Sequence, residues 1–298
     1  MSLRCAVAVG VLAGLATGGC RRGAQPVEER PSAHEAAVHA IVSIPPQAYF
    51  VERLGGERVA VSVLVEPGQS PETYEPTPAQ MTALGEADVY FRIGMPFEEG
   101  LVARIEASMP GLRVVDTREG IQLRPMEAHG HAHGAKGALD PHTWLAPRLV
   151  IRQAHTIATE LAALDPTHAD DYEARRREFA RELMALHEEI AETLRPVRGR
   201  EIVVFHPSFG YFCDAFGLRQ VPIEAEGKEP GPRQLEEIIA RAKAQKGRAI
   251  FVQPQFAKAS AEAIAREIGA EVVTLDPLAR DYPANLREIA HAVLDGLR

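Results

Sequence analysis

Cysteine, tryptophan and positive charge are all scarce in this chain. Its 298 residues include three cysteines and one tryptophan, and the formal net charge is −8. Cys5 and Cys20 lie near the N-terminus, and Cys213 lies far from both. If an N-terminal leader is removed with Cys5 and a lipid modifies Cys20, Cys213 is the only thiol left. The mature chain then cannot form an internal disulfide. Aromatic residues surround Cys213, which predicts a buried and unreactive thiol. No basic cluster stands out, so the charge argues against a nucleic-acid partner.

The N-terminus has the features of an export signal. Arg4 precedes an apolar stretch over 5–16, which is too short to span a membrane as a normal helix. The next residues, Leu15-Ala16-Thr17-Gly18-Gly19-Cys20, are similar to the processing site of bacterial lipoproteins, although Thr17 stands where leucine is usual. We therefore expect a signal peptide over 1–20, lipid attachment at Cys20 and a flexible polar tether over 21–37. The chain would then be exported and anchored on the periplasmic or cell-surface face of a membrane; plain secretion is the alternative.

Short β-branched runs alternate with amphipathic segments along the rest of the chain. The runs are often bounded by glycine or proline, which is typical of strands. Segments with helical spacing lie between them, so we expect an α/β protein with mainly parallel sheets. The predicted strands are Ala40–Ile44, Val59–Val65, Asp88–Ile93, Arg113–Asp116, Glu201–Phe205, Ala249–Val252 and Glu271–Leu275. The predicted helices are Pro78–Glu86, Phe97–Met109, Pro232–Lys246 and Ser260–Ile268.

One segment predicts a helix much longer than the others. From Pro166 to Leu194 there is no glycine, and there is no proline after the first residue. Apolar residues recur in it at helical spacing, which predicts an amphipathic helix of roughly 27 residues and about 40 Å. Such a helix could be a strut between two α/β lobes, or it could be a long surface helix within one domain.

A short segment is rich in histidine and glycine. His129, His131 and His133 fall within the stretch from Glu127 to Gly134. This stretch has no apolar face to pack, so it favours an accessory loop that collects metal ions. A solvated loop with no role in metal binding is the alternative.

Four polar residues follow predicted strands or lie in a tight turn. Glu72 comes in the loop after the second strand, while His206 and Asp276 directly follow later strands. His142 lies in a turn beside Trp144, the only tryptophan. Loops at the carboxyl ends of parallel strands converge on a crevice where ligands bind. These four residues, two in each half of the folded chain, are therefore candidate metal ligands, although a single histidine at a strand end is also typical of a hydrogen-bonded core.

Several motifs, spread from about Ala40 to the C-terminus, are together quite specific. The motifs are Val65-Glu66-Pro67-Gly68 with Tyr74-Glu75-Pro76-Thr77-Pro78, Asp140-Pro141-His142-Thr143-Trp144-Leu145, Phe205-His206-Pro207-Ser208-Phe209, Glu226-Gly227-Lys228-Glu229-Pro230 and Leu275-Asp276-Pro277-Leu278. In these motifs the chain resembles the zinc- and manganese-binding receptors of bacterial ABC transporters, a family that includes ZnuA-like and TroA-like proteins.

The resemblance implies a specific architecture and function. It implies two lobes, each a mainly parallel sheet flanked by helices, joined by a long rigid backbone helix, with a metal site in the interlobe cleft. We expect the lobes at 38–147 and 197–298, with the connecting segment over 148–196. The resemblance also implies that His142, His206 and Asp276 bind metal. It makes the chain a monomeric receptor, not an enzyme, that hands a divalent metal ion to an ABC permease.

Members of this family usually carry histidine where this chain has Glu72. Glutamate also binds divalent metals through oxygen, but oxygen ligands shift the preference of a site toward manganese or iron. Zinc binds more tightly than manganese at a given nitrogen and oxygen site, and a histidine-rich loop is a feature of zinc-selective members. We therefore expect Zn²⁺, with Mn²⁺ or Fe²⁺ as alternatives. If Glu72 does not bind, the site would have three protein ligands and a water.

Functions of other classes are also compatible with parts of the sequence. A zinc-dependent hydrolase would need an open coordination position and a nearby base. The sequence contains neither His-Glu-x-x-His nor Gly-x-Ser-x-Gly, which argues against hydrolysis. A receptor for a non-metal solute, such as an organic chelate, and a surface adhesin are further possibilities that these residues do not decide.

Overall fold

The structure is a computed structural model that describes residues 37–127, 139–224, 236–237, 239–240, 248–256 and 258–298. Several predictions lie outside these residues. They are the signal peptide with Cys20, the tether up to residue 36, the histidine-rich loop with His129, His131 and His133, the motif at 226–230, and most of the predicted helix Pro232–Lys246.

A first sheet of four parallel strands forms the core of the N-terminal lobe. Its order is β2-β1-β3-β4, with β1 paired to both β2 and β3. All four strands were predicted from their β-branched and aromatic residues, with ends that differ by at most two residues. They are β1 (Val38–Val42), β2 (Val59–Val63), β3 (Val89–Arg92) and β4 (Arg113–Asp116).

A second sheet in the C-terminal lobe repeats this order as β6-β5-β7-β8, again with parallel pairing. Strand β6 was not predicted, because Pro222 at its end argues against a strand inside a sheet; β6 lies at the edge, where proline is tolerated. The strands are β5 (Glu201–Val204), β6 (Arg219–Pro222), β7 (Ala249–Val252) and β8 (Glu271–Thr274). Each lobe thus contains one parallel sheet, which confirms the predicted α/β fold class.

Proline and capping residues set where several helices begin. In α2, Thr77 and Gln80 form a capping box in which each side chain binds the other residue's backbone, and Pro78 occupies the first turn. Helices α1, α6 and α8 were not predicted; α1 begins with two prolines and is buried on most sides, so it lacks a clear amphipathic pattern. The helices outside the connecting segment are α1 (Pro45–Gly55), α2 (Pro78–Glu86), α3 (Phe97–Ser108), α6 (Gly210–Phe216), α7 (Lys258–Ile268) and α8 (Tyr282–Leu297).

Two long helices connect the lobes. Helix α4 (Pro147–Leu164) was not predicted, and it packs along α5 (Ala169–Leu194). The predicted long helix is confirmed as α5, whose 26 residues span about 39 Å. Helix α5 packs against α1 of the first lobe and against α6 and α8 of the second. It therefore joins the two lobes as a strut.

The lobes share one hydrophobic core behind the cleft. Buried residues of both sheets, both long helices and α8 belong to a single cluster, and a smaller cluster lies between the second sheet and α7. Tyr282 of α8 packs edge-on against Phe50 of α1, with ring centroids 4.9 Å apart, and its hydroxyl donates to the carbonyl of Trp144 at 2.8 Å. The Trp144 indole in turn donates to the carbonyl of Pro277 at 2.7 Å. These contacts fix the first lobe against the second beside the candidate site.

Within the described part of the chain, none of the helices combines the length and the apolar character needed to cross a membrane.

Candidate metal centre

Three of the four predicted ligands converge between the lobes. Glu72, His142 and His206 each offer one ligand atom, and these atoms all lie within 4.8 Å of one another. Nε2 of His206 is 3.6 Å from Oε1 of Glu72, and the two imidazole centroids are 5.4 Å apart. Glu72 and His142 come from the first lobe and His206 from the second, so the group bridges the cleft.

The turn that carries His142 holds its ring from one side. Oδ1 of Asp140 accepts hydrogen bonds from the backbone N–H of His142 at 2.9 Å and from its ring Nδ1 at 2.8 Å. A 3₁₀ turn over Thr143–Leu145 follows, and Pro147 then begins α4. Because Nδ1 is bound to the carboxylate, Nε2 of His142 is the nitrogen that faces the cleft, an arrangement typical of metal-binding histidines.

His206 is positioned by the end of the second sheet. It follows β5, and its Nδ1 pairs with Oε1 of Glu224 at 2.6 Å. The Gln253 side chain, which follows β7, accepts from the backbone N–H of His206 at 3.2 Å and donates to its carbonyl at 2.8 Å. The ring of Phe256 stacks on the imidazole with centroids 5.0 Å apart. These contacts leave Nε2 of His206 directed toward the other two ligands.

Glu72 lies in the loop between β2 and α2. Its backbone N–H donates to Oγ of Ser70 at 3.3 Å, and Pro71 beside it is buried. Two residues further, the Tyr74 hydroxyl donates to the carbonyl of Leu64 at 2.7 Å, which ties the loop back to the end of β2. Tyr74 thus supports the loop and does not reach the group, whereas Trp144 forms part of the pocket wall.

The residues present fit a divalent metal ion. Oε1 of Glu72 and Nε2 of His206 are buried and have no hydrogen-bond partner among the described residues. Buried polar atoms without partners cost free energy, and a bound cation would satisfy both. A tetrahedral zinc about 2.0 Å from each ligand atom would separate those atoms by roughly 3.3 Å. The 3.6 Å between Nε2 of His206 and Oε1 of Glu72 is close to this value, and no two of the three ligand atoms are more than 4.8 Å apart, so side-chain movements of about 1.5 Å or less would close the site.

Apolar rings and a few polar side chains line the pocket around the three candidate ligands. The pocket is lined partly by aromatic and proline rings, which limits the access of water to an ion held there. Its lining residues are Ser70, Pro71, Glu72, His142, Trp144, His206, Ser208, Gln253, Gln255, Phe256, Pro277 and Leu278.

Asp276 stands next to the pocket but outside the group of three. It follows β8, and its Oδ1 accepts from the backbone N–H of Leu278 at 2.9 Å and from the Gln255 side chain at 3.4 Å. Its carbonyl accepts from the Asn285 side chain at 2.7 Å. The next two residues line the pocket, so the carboxylate is near the site without being part of the close group. Its role as a ligand stays a prediction.

Cys213 offers no thiolate to the site. It is buried in α6, as predicted, and burial raises the pKa of its thiol well above the ordinary value. The thiol form is therefore favoured, and a thiol is a poor metal ligand.

Sequence reasoning missed three residues that position the ligands. Asp140 precedes His142 by two residues, and an Asp-Pro-His turn is a local signal for a carboxylate that binds the following backbone and ring. Gln253 directly follows the predicted strand that ends at Val252, so reading every strand end would have found it. Glu224 follows β6, and it was missed because that strand was missed.

Known proteins share both the sequence pattern and the architecture of this chain. The profile of the family described as "Zinc-uptake complex component A periplasmic" matches residues 41–296. The structure is similar to a crystal structure of ZnuA, with a TM-score of 0.83 and 45% sequence identity over 88% of this chain and 99% of that one.

Curated relatives agree with this match. The chain is 28% identical over 253 residues to the high-affinity zinc uptake system protein ZnuA of Bacillus subtilis, covering 81% of this chain and 78% of that protein. It is 29% identical over 226 residues to the manganese-binding lipoprotein MntA of Halalkalibacterium halodurans, covering 74% of this chain and 73% of that protein. The chain belongs to the ZnuA family of metal-binding receptors of ABC transporters.

Proposed function

We propose that this chain captures Zn²⁺ outside the cytoplasm, between its two lobes, and delivers it to an ABC permease. The observation that carries the proposal is the convergence of Glu72, His142 and His206 within 4.8 Å, with unpartnered atoms of Glu72 and His206 facing each other. The ion is cargo, and the protein supplies only ligands, a dry pocket and a fixed geometry. No catalytic step is part of the proposal.

Two features support zinc as the cargo. Both imidazoles are oriented by carboxylates, His142 by Asp140 and His206 by Glu224, which leaves Nε2 of each ring for the ion, as in zinc-binding histidines. The pocket is walled by aromatic and proline rings, and a four-coordinate ion without several waters fits such a pocket better than an octahedral one. The zinc-uptake names of the family profile and of a relative agree with this choice.

One feature favours manganese as a second candidate. Glu72 replaces the usual histidine with a hard oxygen ligand, and manganese prefers oxygen. The chain is also similar to a manganese-binding lipoprotein. The two cargoes are separated by which metal the purified chain retains and by which metal it prefers in competition.

Asp276 is proposed as the fourth ligand. Oδ1 of this carboxylate is held by the backbone of Leu278, so a small rotation of the carboxyl group toward the pocket would be needed to present an oxygen to the ion. With Asp276 the site would contain two carboxylates and two imidazoles, and the carboxylates would balance the charge of a divalent ion. Without Asp276 a water would complete the coordination.

The remaining parts of the proposal concern the surroundings of the receptor. A lipid at Cys20 would hold the chain at the membrane, a tether would keep the lobes within reach of the permease, and a single chain would be the working unit. The histidine-rich segment would collect ions for the site. Deleting residues 128–134 tests the last point, because unchanged uptake at scarce zinc would mean that the segment is dispensable.

Metal content tests the proposal directly. The wild-type chain and the Glu72→Ala variant are purified without chelator or affinity tag, and their metals are measured by elemental analysis. Glu75→Ala is the matched control, because Glu75 lies three residues away in the same loop and is exposed. We expect about one zinc per chain in wild type and in the control, and clear loss in Glu72→Ala.

Other outcomes are equally informative. Retained manganese or iron, with zinc bound no more tightly in competition, would show that the extra carboxylate sets the specificity. Absence of any metal in wild type, and no uptake on titration, would contradict the proposal that this chain is a metal receptor.

A further inference from the structure

Two buried polar atoms near the site face the same glycine of the second lobe. They are Nη1 of Arg124 and Oδ2 of Asp140, and neither has a hydrogen-bond partner among the described residues. A methyl group on Gly210 would lie 1.8 Å from the Arg124 nitrogen and 2.8 Å from the Asp140 oxygen. The guanidinium and the carboxylate therefore lie on one side of the Gly210 Cα, in space that any other residue would fill.

Arg124 belongs to the first lobe, but its partners are divided between the lobes. Nη2 pairs with Glu127 at 2.5 Å, and Nε lies 3.4 Å from a carboxylate oxygen of Asp214 in α6. The guanidinium also lies over the ring of Tyr211, 5.9 Å from its centroid. The Arg124 guanidinium thus packs against the first turn of α6, where Gly210 has no side chain to occupy the space.

The backbone of Arg124 is joined to Asp140 as well. Its carbonyl accepts from the backbone N–H of Asp140 at 2.9 Å. Its N–H donates to the Tyr211 hydroxyl at 3.0 Å, and that hydroxyl donates to the carbonyl of Asp140 at 3.1 Å. Arg124, Tyr211 and Asp140 therefore form a closed ring of hydrogen bonds that spans the cleft.

Asp140 needs a cationic neighbour more than most carboxylates do. It is fully buried, and its Oδ1 is used by the backbone and ring of His142, which leaves Oδ2 without a partner among the described residues. A buried carboxylate is costly unless charge and hydrogen bonds offset the loss of water. Burial by itself would lower the pKa of Arg124, but Glu127, Asp214 and Asp140 raise it above the ordinary value, so the guanidinium stays charged beside Asp140.

We propose that Arg124 is a positioning residue of the metal centre: its guanidinium charge, close to Asp140 but not bonded to it, stabilises the carboxylate in the orientation that fixes the His142 ring. Gly210 is glycine because the guanidinium occupies the space of a side chain there. The proposal rests on the proposed metal-binding function. It adds that the alignment of His142, in the first lobe, depends on the packing of Arg124 against α6 of the second lobe. The second lobe would then contribute to the site through α6 as well as through His206.

Three variants and two measurements test this role. The variants are Arg124→Ala, Arg124→Lys and Gly210→Ala, with Arg104→Ala, an exposed arginine of α3, as control. Zn²⁺ affinity is measured by competition with a chromophoric chelator. The visible d–d absorption of the Co²⁺-loaded chain reports the geometry of the ligands, which a change in stability alone would not alter.

We expect Arg124→Ala to weaken Zn²⁺ binding by about 10- to 100-fold and to change the Co²⁺ spectrum, the usual range for partners that orient metal-binding histidines. Arg124→Lys keeps the charge but not the planar fork, so it should recover part of the affinity. Gly210→Ala should act in the same direction, since its methyl group displaces the guanidinium. In the Arg124→Ala background the same methyl group should cost much less, because the space is then free.

The outcomes separate this role from the metal-binding function. If wild type binds Zn²⁺ but Arg124→Ala and Gly210→Ala keep its affinity and Co²⁺ spectrum, the positioning role is wrong and the metal site stands. If Arg124→Ala does not fold, Gly210→Ala decides, and an unchanged affinity and spectrum in that variant overturn the role. If wild type binds neither Zn²⁺ nor Co²⁺, both proposals are overturned together.

Discussion

The two lobes repeat one sheet topology but use its central crevice differently. In the first lobe, the carbonyl of Ser43 after β1 accepts from the backbone N–H of Val65 after β2 at 3.0 Å. In the second lobe, the carbonyl of Phe205 after β5 accepts from the backbone N–H of Glu224 after β6, also at 3.0 Å. These bonds align the lobes residue by residue at the point where the strand order reverses.

At this point the chemistry of the two lobes diverges. The alignment places Ile44 where the second lobe has His206, and Val65 where it has Glu224. Ile44 and Val65 are fully buried and apolar, whereas His206 is a proposed ligand and Glu224 is the carboxylate that pairs with its Nδ1. Crevices at the reversal of strand order are where ligands usually bind in such sheets. The second lobe follows that rule and the first does not.

The crevice of the first lobe is filled by a buried polar network. Glu98, at the start of α3, accepts from the Ser43 hydroxyl at 2.5 Å and from the backbone N–H groups of Ile93 and Gly94 at 3.0 and 2.6 Å. The Tyr90 hydroxyl completes the network, 2.7 Å from that of Ser43. These described side chains are hydrogen-bonded to one another and to the backbone, and the proposed ligands of this lobe, Glu72 and His142, lie instead in loops that need separate support.

The largest effect should come from removing the ligand of the second lobe. Structural zinc contributes about 10–16 kcal/mol of binding free energy in small peptides, or about 2.5–4 kcal/mol for each of four ligands. We therefore expect His206→Ala to weaken Zn²⁺ binding by more than about 100-fold, measured by chelator competition. His155→Ala, an exposed histidine of α4, should bind as wild type does. Wild-type affinity in His206→Ala would show that the second crevice is not the site.

Breaking the network of the first lobe should affect stability and leave metal affinity nearly intact. Glu98→Ala leaves buried donors at Ile93 and Gly94 without an acceptor, which should cost about 2–3 kcal/mol in the free energy of unfolding. Urea unfolding of the metal-free chain measures this cost. Glu99→Ala, exposed on the same helix, is the control and should be nearly neutral. A large loss of Zn²⁺ affinity with little loss of stability would contradict the structural role.

The pH dependence of stability gives a second check on Glu98. Burial raises the pKa of Glu98, although hydrogen bonds from Ile93 and Ser43 favour its charged form. A carboxyl group with a raised pKa in the folded state binds more protons there than in the unfolded state, so its contribution to stability falls as the pH rises between the two pKa values. The free energy of unfolding of wild type, relative to Glu98→Gln, should therefore decrease over that interval. A relative increase would be the wrong sign.

A smaller effect is expected from the carboxylate that orients His206. Glu224→Ala removes the acceptor of Nδ1, so Zn²⁺ affinity should fall by about 10- to 100-fold. Glu224→Gln keeps an acceptor oxygen and should lose less. Glu262→Ala, exposed on α7, is the control. Equal affinity in all three variants would mean that the ring is held by Gln253 and Phe256 alone.

The smallest effect concerns the surface ion pairs that link the lobes. Arg280 pairs with Glu52 of α1, but the two side chains are 49% and 45% exposed. Arg280→Ala should therefore change the free energy of unfolding by less than about 1 kcal/mol. Leu286→Ala, fully buried in α8, should cost about 2–5 kcal/mol because the lobes are joined mainly by the shared core. Thermal unfolding of the two variants compares these contributions.

Sequence patterns predicted the strands better than the helices, and they indicated the candidate ligands but not the residues that position them. Seven of the eight described strands were predicted from β-branched runs. Strand β6, at the edge of its sheet, was not predicted because it ends in Pro222. Helix α1 was missed because most of its residues are buried, which hides the amphipathic period. Glu72, His142 and His206 could be predicted because polar residues at strand ends and in turns are visible in the amino-acid sequence alone.

The remaining features depend on contacts between distant parts of the chain. Glu224 pairs with His206, 18 positions away, and Arg124 contacts Tyr211 of the other lobe, 87 positions away, so no local spacing marks them. The alignment of Ile44 with His206 is likewise visible only once strand pairing is known. Local chemistry predicts which residues can bind a metal, and tertiary packing decides which of them are aligned to do so.

The most direct test of this account is an anomalous difference map, measured at the zinc absorption edge, from crystals of the zinc-loaded chain. We predict one strong peak between the lobes, about 2.0 Å from Glu72, from Nε2 of His142 and from Nε2 of His206. A peak at the first lobe's own crevice or elsewhere on the surface, with none between these three side chains, would contradict the account.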